Sequence, residues 1–177
     1  TATTEIYTLS LHDALPICDV TGSMRGPIDA MRTYAPDAER LSLHPLFSPE
    51  NAPGNLAVVT DADGPISETI RERLAARGND LVETTPAEHD EAMETVQASA
   101  HTAVLAFALA AEDVPDAFQT PISEGLFDLV GQVTDGEARV YADIQAAFDG
   151  ADEVAEAARR IADADDETFA ELYEDLR

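Results

Sequence analysis

Histidine is the side chain best suited to trading protons near neutrality, its ordinary pKa lying at about 6.5. The chain has four: His12, His44, His89 and His101. His44 stands directly before Pro45 and follows the short run Leu41-Ser42-Leu43. That is a loop after a strand, where α/β proteins collect ligand-handling groups. His89 falls in the first turn of a long helix, where the dipole disfavours a cation, so it reads as a capping or packing residue. His101 lies twelve residues further along the same helix. One cysteine and scattered histidines make no metal cluster. No serine-hydrolase elbow, P-loop or GxGxxG fingerprint occurs, so the chain as written has no phosphate cradle.

The helix that must position His89 and His101 announces itself clearly. Thr85 is its N-cap, Pro86 its first helical residue, and Glu88 completes a capping box. No glycine or further proline interrupts it before Ala111. Asp90, Glu94, Gln97 and His101 recur at helical spacing and predict one polar stripe. Beyond residue 102 the helix is apolar on nearly every side, which predicts burial, with the stripe reaching solvent or lining a cleft.

Upstream, Asp19 to Gly26 reads as a strand end entering a Gly-rich turn, with a helix from Pro27 to about Tyr34. Leu56 to Thr60 is a buried strand, and Ser67 to Arg77 an amphipathic helix capped by Ser67 and stopped by Gly78. Leu81 to Glu83 is a further strand. Such alternation predicts an α/β layer with some parallel pairing. After Ala111 the pattern predicts only helices, over 122–133, 138–148, 151–164 and 166–176. The α/β part therefore occupies 18–85 and an all-α part 86–177.

Composition limits the partners. Of 177 residues, 36 are Asp or Glu and 10 are basic, all arginine, for a formal net charge of −26. Nucleic acids and anionic membranes both require positive charge, so neither is an expected partner. The acid is spread along the whole chain over an ordinary 45% hydrophobic content, the pattern of a cytosolic protein from an extreme halophile. The lone Cys18 excludes an internal disulfide and fits a reducing, cytoplasmic compartment. No apolar run approaches the roughly 20 residues that span a bilayer.

Residues 1–17 stand apart. They read as the in-frame translation of a common Illumina sequencing adapter, all seventeen codons agreeing. The stretch is accordingly set aside from the fold as an assembly artefact. Two expectations result: His12 and Asp13 carry no function, and authentic upstream sequence is missing.

Taken together, Gly22-Ser23-Met24-Arg25-Gly26, Leu43-His44-Pro45-Leu46-Phe47-Ser48-Pro49-Glu50, His89-Asp90 and His101 resemble prephenate dehydrogenase of the TyrA family, in that family's order and spacing over about residues 18–145. The resemblance implies the later strands of a Rossmann domain followed by a helical dimerisation domain, hence a homodimer, with the Gly-rich βαβ unit upstream of residue 18. It implies oxidative decarboxylation of prephenate to 4-hydroxyphenylpyruvate with NAD or NADP, by a chain that is here a truncated and inactive fragment. His44 matches the histidine that polarises or deprotonates the ring hydroxyl. Ser23 matches the serine that positions that hydroxyl beside the nicotinamide, His101 the substrate-orienting histidine, and Glu50 a gating acid of some members. Counting back from Tyr141-Ala142-Asp143-Ile144, the family's substrate-carboxylate arginine falls near Gln132, which lacks the charged fork. Arg139 is the candidate replacement. Arogenate dehydrogenase, another Rossmann oxidoreductase, and a non-catalytic helical interaction domain are the alternative readings.

Overall fold

The computed structural model describes residues 15–177. The expectations for His12, Asp13 and most of the adapter-like stretch lie outside the described residues. Ile17 begins the first strand, so the last residue of that stretch is paired in the sheet.

The chain divides into two compact units between Asp90 and Glu91. The first is a four-stranded sheet in the order β1 (Ile17–Asp19), β2 (Arg40–Pro45), β3 (Asn55–Ala62), β4 (Asp80–Glu83). β1 runs parallel to β2 and β3 parallel to β4, while β2 and β3 are antiparallel. His44 therefore belongs to strand β2 and pairs with Ala57, a correction to the loop placement expected from its proline neighbour. Pro45 ends the strand instead of excluding it, since proline is tolerated at a strand terminus.

Strand periodicity sorts the side chains. Leu41 and Leu43 of β2 join Leu56 and Val58 of β3 in one core cluster. Ile70 and Leu74 of helix α2 (Pro65–Ala76) cover it. Ala57 and Val59 point to the other face, where they meet Met24, Ile28 and Met31 of helix α1 (Arg25–Tyr34). Because alternate residues of a strand face opposite ways, Ser42 and His44 stand on the face away from Leu41 and Leu43. The Leu-Ser-Leu-His order thus delivers a hydroxyl and an imidazole to that face of the sheet. Helix α2 begins two residues earlier than expected: Gly64 is the cap, and Ser67 contributes its Oγ to the Gly64 N–H at 2.8 Å. Gly78 stops the helix with φ of +91°, a conformation glycine adopts without a Cβ clash.

The long helix begins as expected. Glu88 N donates to Thr85 Oγ1 at 3.2 Å and Thr85 N donates to Glu88 Oε2 at 3.1 Å. It is not one regular α-helix. Helix α3 (Pro86–Met93) passes through a π-helical stretch, Glu94–Ser99, into α4 (Ala100–Ala110). A π turn takes an extra residue and slips the phase of the downstream helix. The predicted stripe of Asp90, Glu94, Gln97 and His101 therefore does not run unbroken.

The second unit is all helical: α4, α5 (Pro121–Thr134), α6 (Ala138–Ala147), α7 (Gly150–Asp163) and α8 (Asp166–Asp175). Met93, Ala98 and Phe148 form its buried cluster, with Ile144 against it. Gly150 starts α7 hard against the π stretch. A Cβ there would lie 2.5 Å from the Glu94 carbonyl oxygen and 2.6 Å from Ser99 Oγ. The predicted burial of α4 is not observed: the helix has no buried residue, and Leu109 is 90% exposed. The helices packed against it among the described residues do not cover a helix apolar on all sides.

Candidate active site

The first unit gathers its polar buried groups where β1 and β2 end and α1 and α3 begin. Asp19 closes β1 opposite Ser42, whose Oγ donates to Asp19 Oδ2 at 2.8 Å. The turn into α1 is pinned by Thr21, which donates to the Ser23 carbonyl at 2.7 Å and lies 3.1 Å from Asp19 Oδ2. Helix α1 has no local cap. Its first amides donate to a side chain from the other end of the unit: Met24 N to Asp90 Oδ1 at 2.8 Å and Arg25 N to Asp90 Oδ2 at 3.1 Å. Ser23 Oγ approaches the same carboxylate at 3.4 Å. Arg25 in turn donates through its guanidinium to the Ala87 carbonyl at 3.1 Å. A carboxylate at a helix N-terminus is doubly favoured, by the N–H groups and by the dipole.

From Asp90 a line of hydrogen bonds runs back to the sheet. His89 Nδ1 lies 2.8 Å from Asp90 Oδ1, and His89 Nε2 lies 2.9 Å from His44 Nδ1. The two rings meet edge to face, with centroids 5.1 Å apart. His44 is 9% exposed, His89 3% and Asp90 7%. Burial and the neighbouring His89 push the His44 imidazole down to about 4, against an upward pull from the Asp90 and Asp19 carboxylates. His44 is therefore neutral at physiological pH, able to accept a proton but weakly basic on its own. Burial alone would raise the Asp90 carboxyl. The Met24 amide, the His89 ring and the Arg25 amide override it and hold the group below the ordinary carboxylate range.

Of the residues singled out by sequence, His44 and Ser23 are thus brought together around Asp90. Glu50 is exposed on the short 3₁₀ turn Pro49–Asn51, its carboxyl held down by its own backbone amide and the Ser48 side chain. His101 belongs to the helical unit, where its ring meets Tyr141 edge to face at 5.0 Å. Its Nδ1 is buried with no hydrogen-bond partner among the described residues, and burial holds the ring below its ordinary pKa. Tyr141 also lines an apolar hollow of about 360 Å³ with Leu105, Val133 and Gln145. Gln132 near the end of α5 and Arg139 on α6 are both exposed. Arg139 faces Asp143 at 3.6 Å, and the break between α5 and α6 removes the continuous helix that would set the two residues turns apart.

Sequence reasoning missed His89 and Asp90 as site residues, and Asp19 with them. The adjacent His-Asp pair behind a proline-led capping box was the available signal, because that box fixes how the first turn of α3 is presented. No group of His, Cys, Asp or Glu that could hold a metal ion occurs among the described residues. The first amides of α1 are taken by Asp90, those of α2 by Glu39, and that of Glu88 by Thr85. No helix among the described residues is long and apolar enough to cross a membrane.

No family model matches the chain. It is 32% identical to a 4-amino-4-deoxyprephenate dehydrogenase of Streptomyces pristinaespiralis, over 83% of this chain and 55% of that protein. Its fold is similar to that of the Synechocystis arogenate dehydrogenase crystal structure, with a TM-score of 0.51 at 17% identity, over 84% of this chain and 59% of that one. The chain spans little more than half the length of either. The α/β part followed by an all-α unit agrees with that fold. Over the matched segment, the chain is similar in sequence and in fold to prephenate dehydrogenase-like proteins of the TyrA family.

Proposed function

We propose that the whole protein oxidatively decarboxylates prephenate, or a close relative of it, to the corresponding aromatic acid with NAD or NADP as hydride acceptor. The observation that supports this reading is the buried line from Asp90 through His89 to His44, ending on a neutral imidazole beside the Ser23 turn. The reaction removes a proton from the substituent of the ring carbon that loses hydride, and a neutral imidazole in hydrogen-bond reach is suited to accept it. The nicotinamide, when bound, takes the hydride. The described residues fit the proton's part of the reaction and not the dinucleotide's phosphates.

In this reading His44 receives the proton, Ser23 helps hold the reacting group, and His101 orients the substrate. Glu50 screens the entrance, with Gln132 or Arg139 meeting a substrate carboxylate. The relatives' names give arogenate and 4-amino-4-deoxyprephenate alongside prephenate as substrates to try. A cytoplasmic homodimer formed through the helical unit, in a salt-loving organism, completes the proposal.

The test uses a protein of the relatives' full length that carries this chain, purified and assayed for nicotinamide reduction against each of the three substrates. His44→Asn should lower turnover by about 10²- to 10⁴-fold, the usual weight of general acid–base catalysis, with an unchanged far-UV circular dichroism spectrum. Failure of the parent enzyme on all three substrates, or near-normal turnover of the variant, would overturn the reading.

A further inference from the structure

We propose that His89 and Asp90 act through His44 as a proton relay, so that a proton captured at His44 Nε2 leaves its positive charge on His89 beside the Asp90 carboxylate. The inference deepens the proposed function and rests on it for the identity of the proton donor, but its test needs no substrate.

The atoms determine the direction. Asp90 is ionised and can only accept, and it already accepts from the Met24 and Arg25 amides. His89 Nδ1, 2.8 Å from Asp90 Oδ1, must therefore carry hydrogen. When His89 is neutral its Nε2 is an acceptor, so the proton in the 2.9 Å contact sits on His44 Nδ1. His44 Nε2 then carries the lone pair. This is the resting state: two neutral imidazoles, each protonated at Nδ1, behind one carboxylate.

Proton capture reverses the middle bond. A proton added at His44 Nε2 makes that ring cationic, and its Nδ1 proton crosses to His89 Nε2. The products are a neutral His44 protonated at Nε2 and a cationic His89 donating from both nitrogens. One proton enters, one moves, none is lost, and Asp90 stays ionised throughout. The donor's electron pair stays on the donor atom.

The charge is better placed after the move. His89 contacts Asp90 directly, whereas His44 reaches that carboxylate only through His89. Burial and the neighbouring His89 lower the basicity of His44, which agrees with a charge that comes to rest on His89 instead. The carboxylates acting on His44 are Asp90 of α3 and Asp19 of β1, and His89 is the other titratable ring facing it. Asp19 is engaged by Ser42 and Thr21 and offers no second route through a ring.

The experiment is a pH titration of the full 177-residue chain with ¹⁵N-labelled imidazoles, read by two-dimensional NMR. At neutral pH both His44 and His89 should show the Nδ1–H tautomer. As the pair binds its first proton, His89 should become the imidazolium while His44 switches to the Nε2–H tautomer. His89→Phe keeps a ring and leaves the Asp90 bonds to α1 in place. In that variant His44 should lose its Nδ1–H preference and protonate directly to an imidazolium. Asp90→Asn, if it folds, should return the first proton to His44. An Nε2–H tautomer on His44 at neutral pH in the wild type would overturn the relay. So would a first proton that makes His44 the imidazolium, or a His44 tautomer unmoved in His89→Phe. None of these outcomes depends on turnover, so a failed relay and a failed activity are distinguishable.

Discussion

Asp90→Ala tests the architecture of the site. The carboxylate caps α1 from 66 residues away in sequence. Its removal leaves the amide of Met24, a residue with no solvent exposure, without an acceptor. It also strands His89 Nδ1 on a ring that is 3% exposed. A buried donor left unpaired costs about 1–3 kcal/mol. Arg25 is exposed, so water can replace its bond, and the 3.4 Å approach of Ser23 Oγ is too long to add much. Two stranded donors therefore place the loss at about 4 kcal/mol, within about 2–6. The internal control is Thr85→Ala, which removes an exposed local cap and should cost about 1 kcal/mol.

Urea denaturation followed by circular dichroism gives both differences, and hydrogen exchange at the Met24 amide localises the first. The pH dependence carries a sign. The folded-state pKa of Asp90 is depressed, so its contribution is present above the unfolded value of about 3.9 and is lost as pH falls through the folded one. The gap between wild type and Asp90→Ala should therefore be constant near neutrality and close only in acid below about pH 4. An Asp90→Ala loss no larger than that of Thr85→Ala, or a gap that narrows already between pH 7 and 5, would refute the reasoning.

Asp61 sits between two arginines, 2.6 Å from Arg40 and 2.7 Å from Arg32, with its side chain 8% exposed. Burial alone would raise its carboxyl, and the two guanidiniums hold it low instead. Asp61→Asn leaves Arg40 half-compensated by the carbonyls of Ala35, Pro36 and Ala38. It should cost about 3 kcal/mol in urea denaturation, and a loss under about 1 kcal/mol would show that the carbonyls suffice. Gly150→Ala must push apart α7 and the π stretch. A loss of about 1–3 kcal/mol with α7 amides exchanging faster is expected, and an unchanged melting temperature would contradict the close approach. A net charge of −26 should make thermal stability rise steeply between about 0.1 and 1 M salt, as the Debye length falls from about 10 to 3 Å. A melting temperature that stays flat or falls over that range would argue against the halophilic reading.

How much of the structure was legible in the sequence depends on the range of the interactions. Local signals were sufficient where the decisive contacts are local. The Thr85-Pro86-Glu88 box formed at the expected place, Gly78 stopped α2, and the four C-terminal helices lie within about two residues of their expected bounds, boundary scatter of the ordinary size. The π stretch was not legible because it answers to a partner. Ser99 Oγ donates to the Glu94 carbonyl at 2.9 Å and to the Gly150 carbonyl at 3.3 Å, and Gly150 lies far along the chain. The exposure of α4 was misread for the opposite reason: a hydrophobic helix signals what it wants to bury, not whether this chain supplies the cover.

The same reasoning explains why His89 looked inert. At the start of a helix a histidine is penalised by the dipole, so the local reading assigns His89 to capping or packing, and helical spacing assigns Asp90 to the polar stripe. Asp90 serves a different N-terminus, that of α1, and in doing so anchors the ring beside it. The strand alternation that turns Leu41 and Leu43 to one face turns His44 to the other, and only there does His89 acquire a partner. Three elements far apart in sequence thus meet at the His89-Asp90 pair: the Ser23 turn on the Asp90 carboxylate, the end of β2 on the His89 ring, and the start of α3 that carries both. In the proposed relay a shift of α1 reaches His44 through Asp90 and His89, so stability and the tautomer of His44 should move together across variants of this turn.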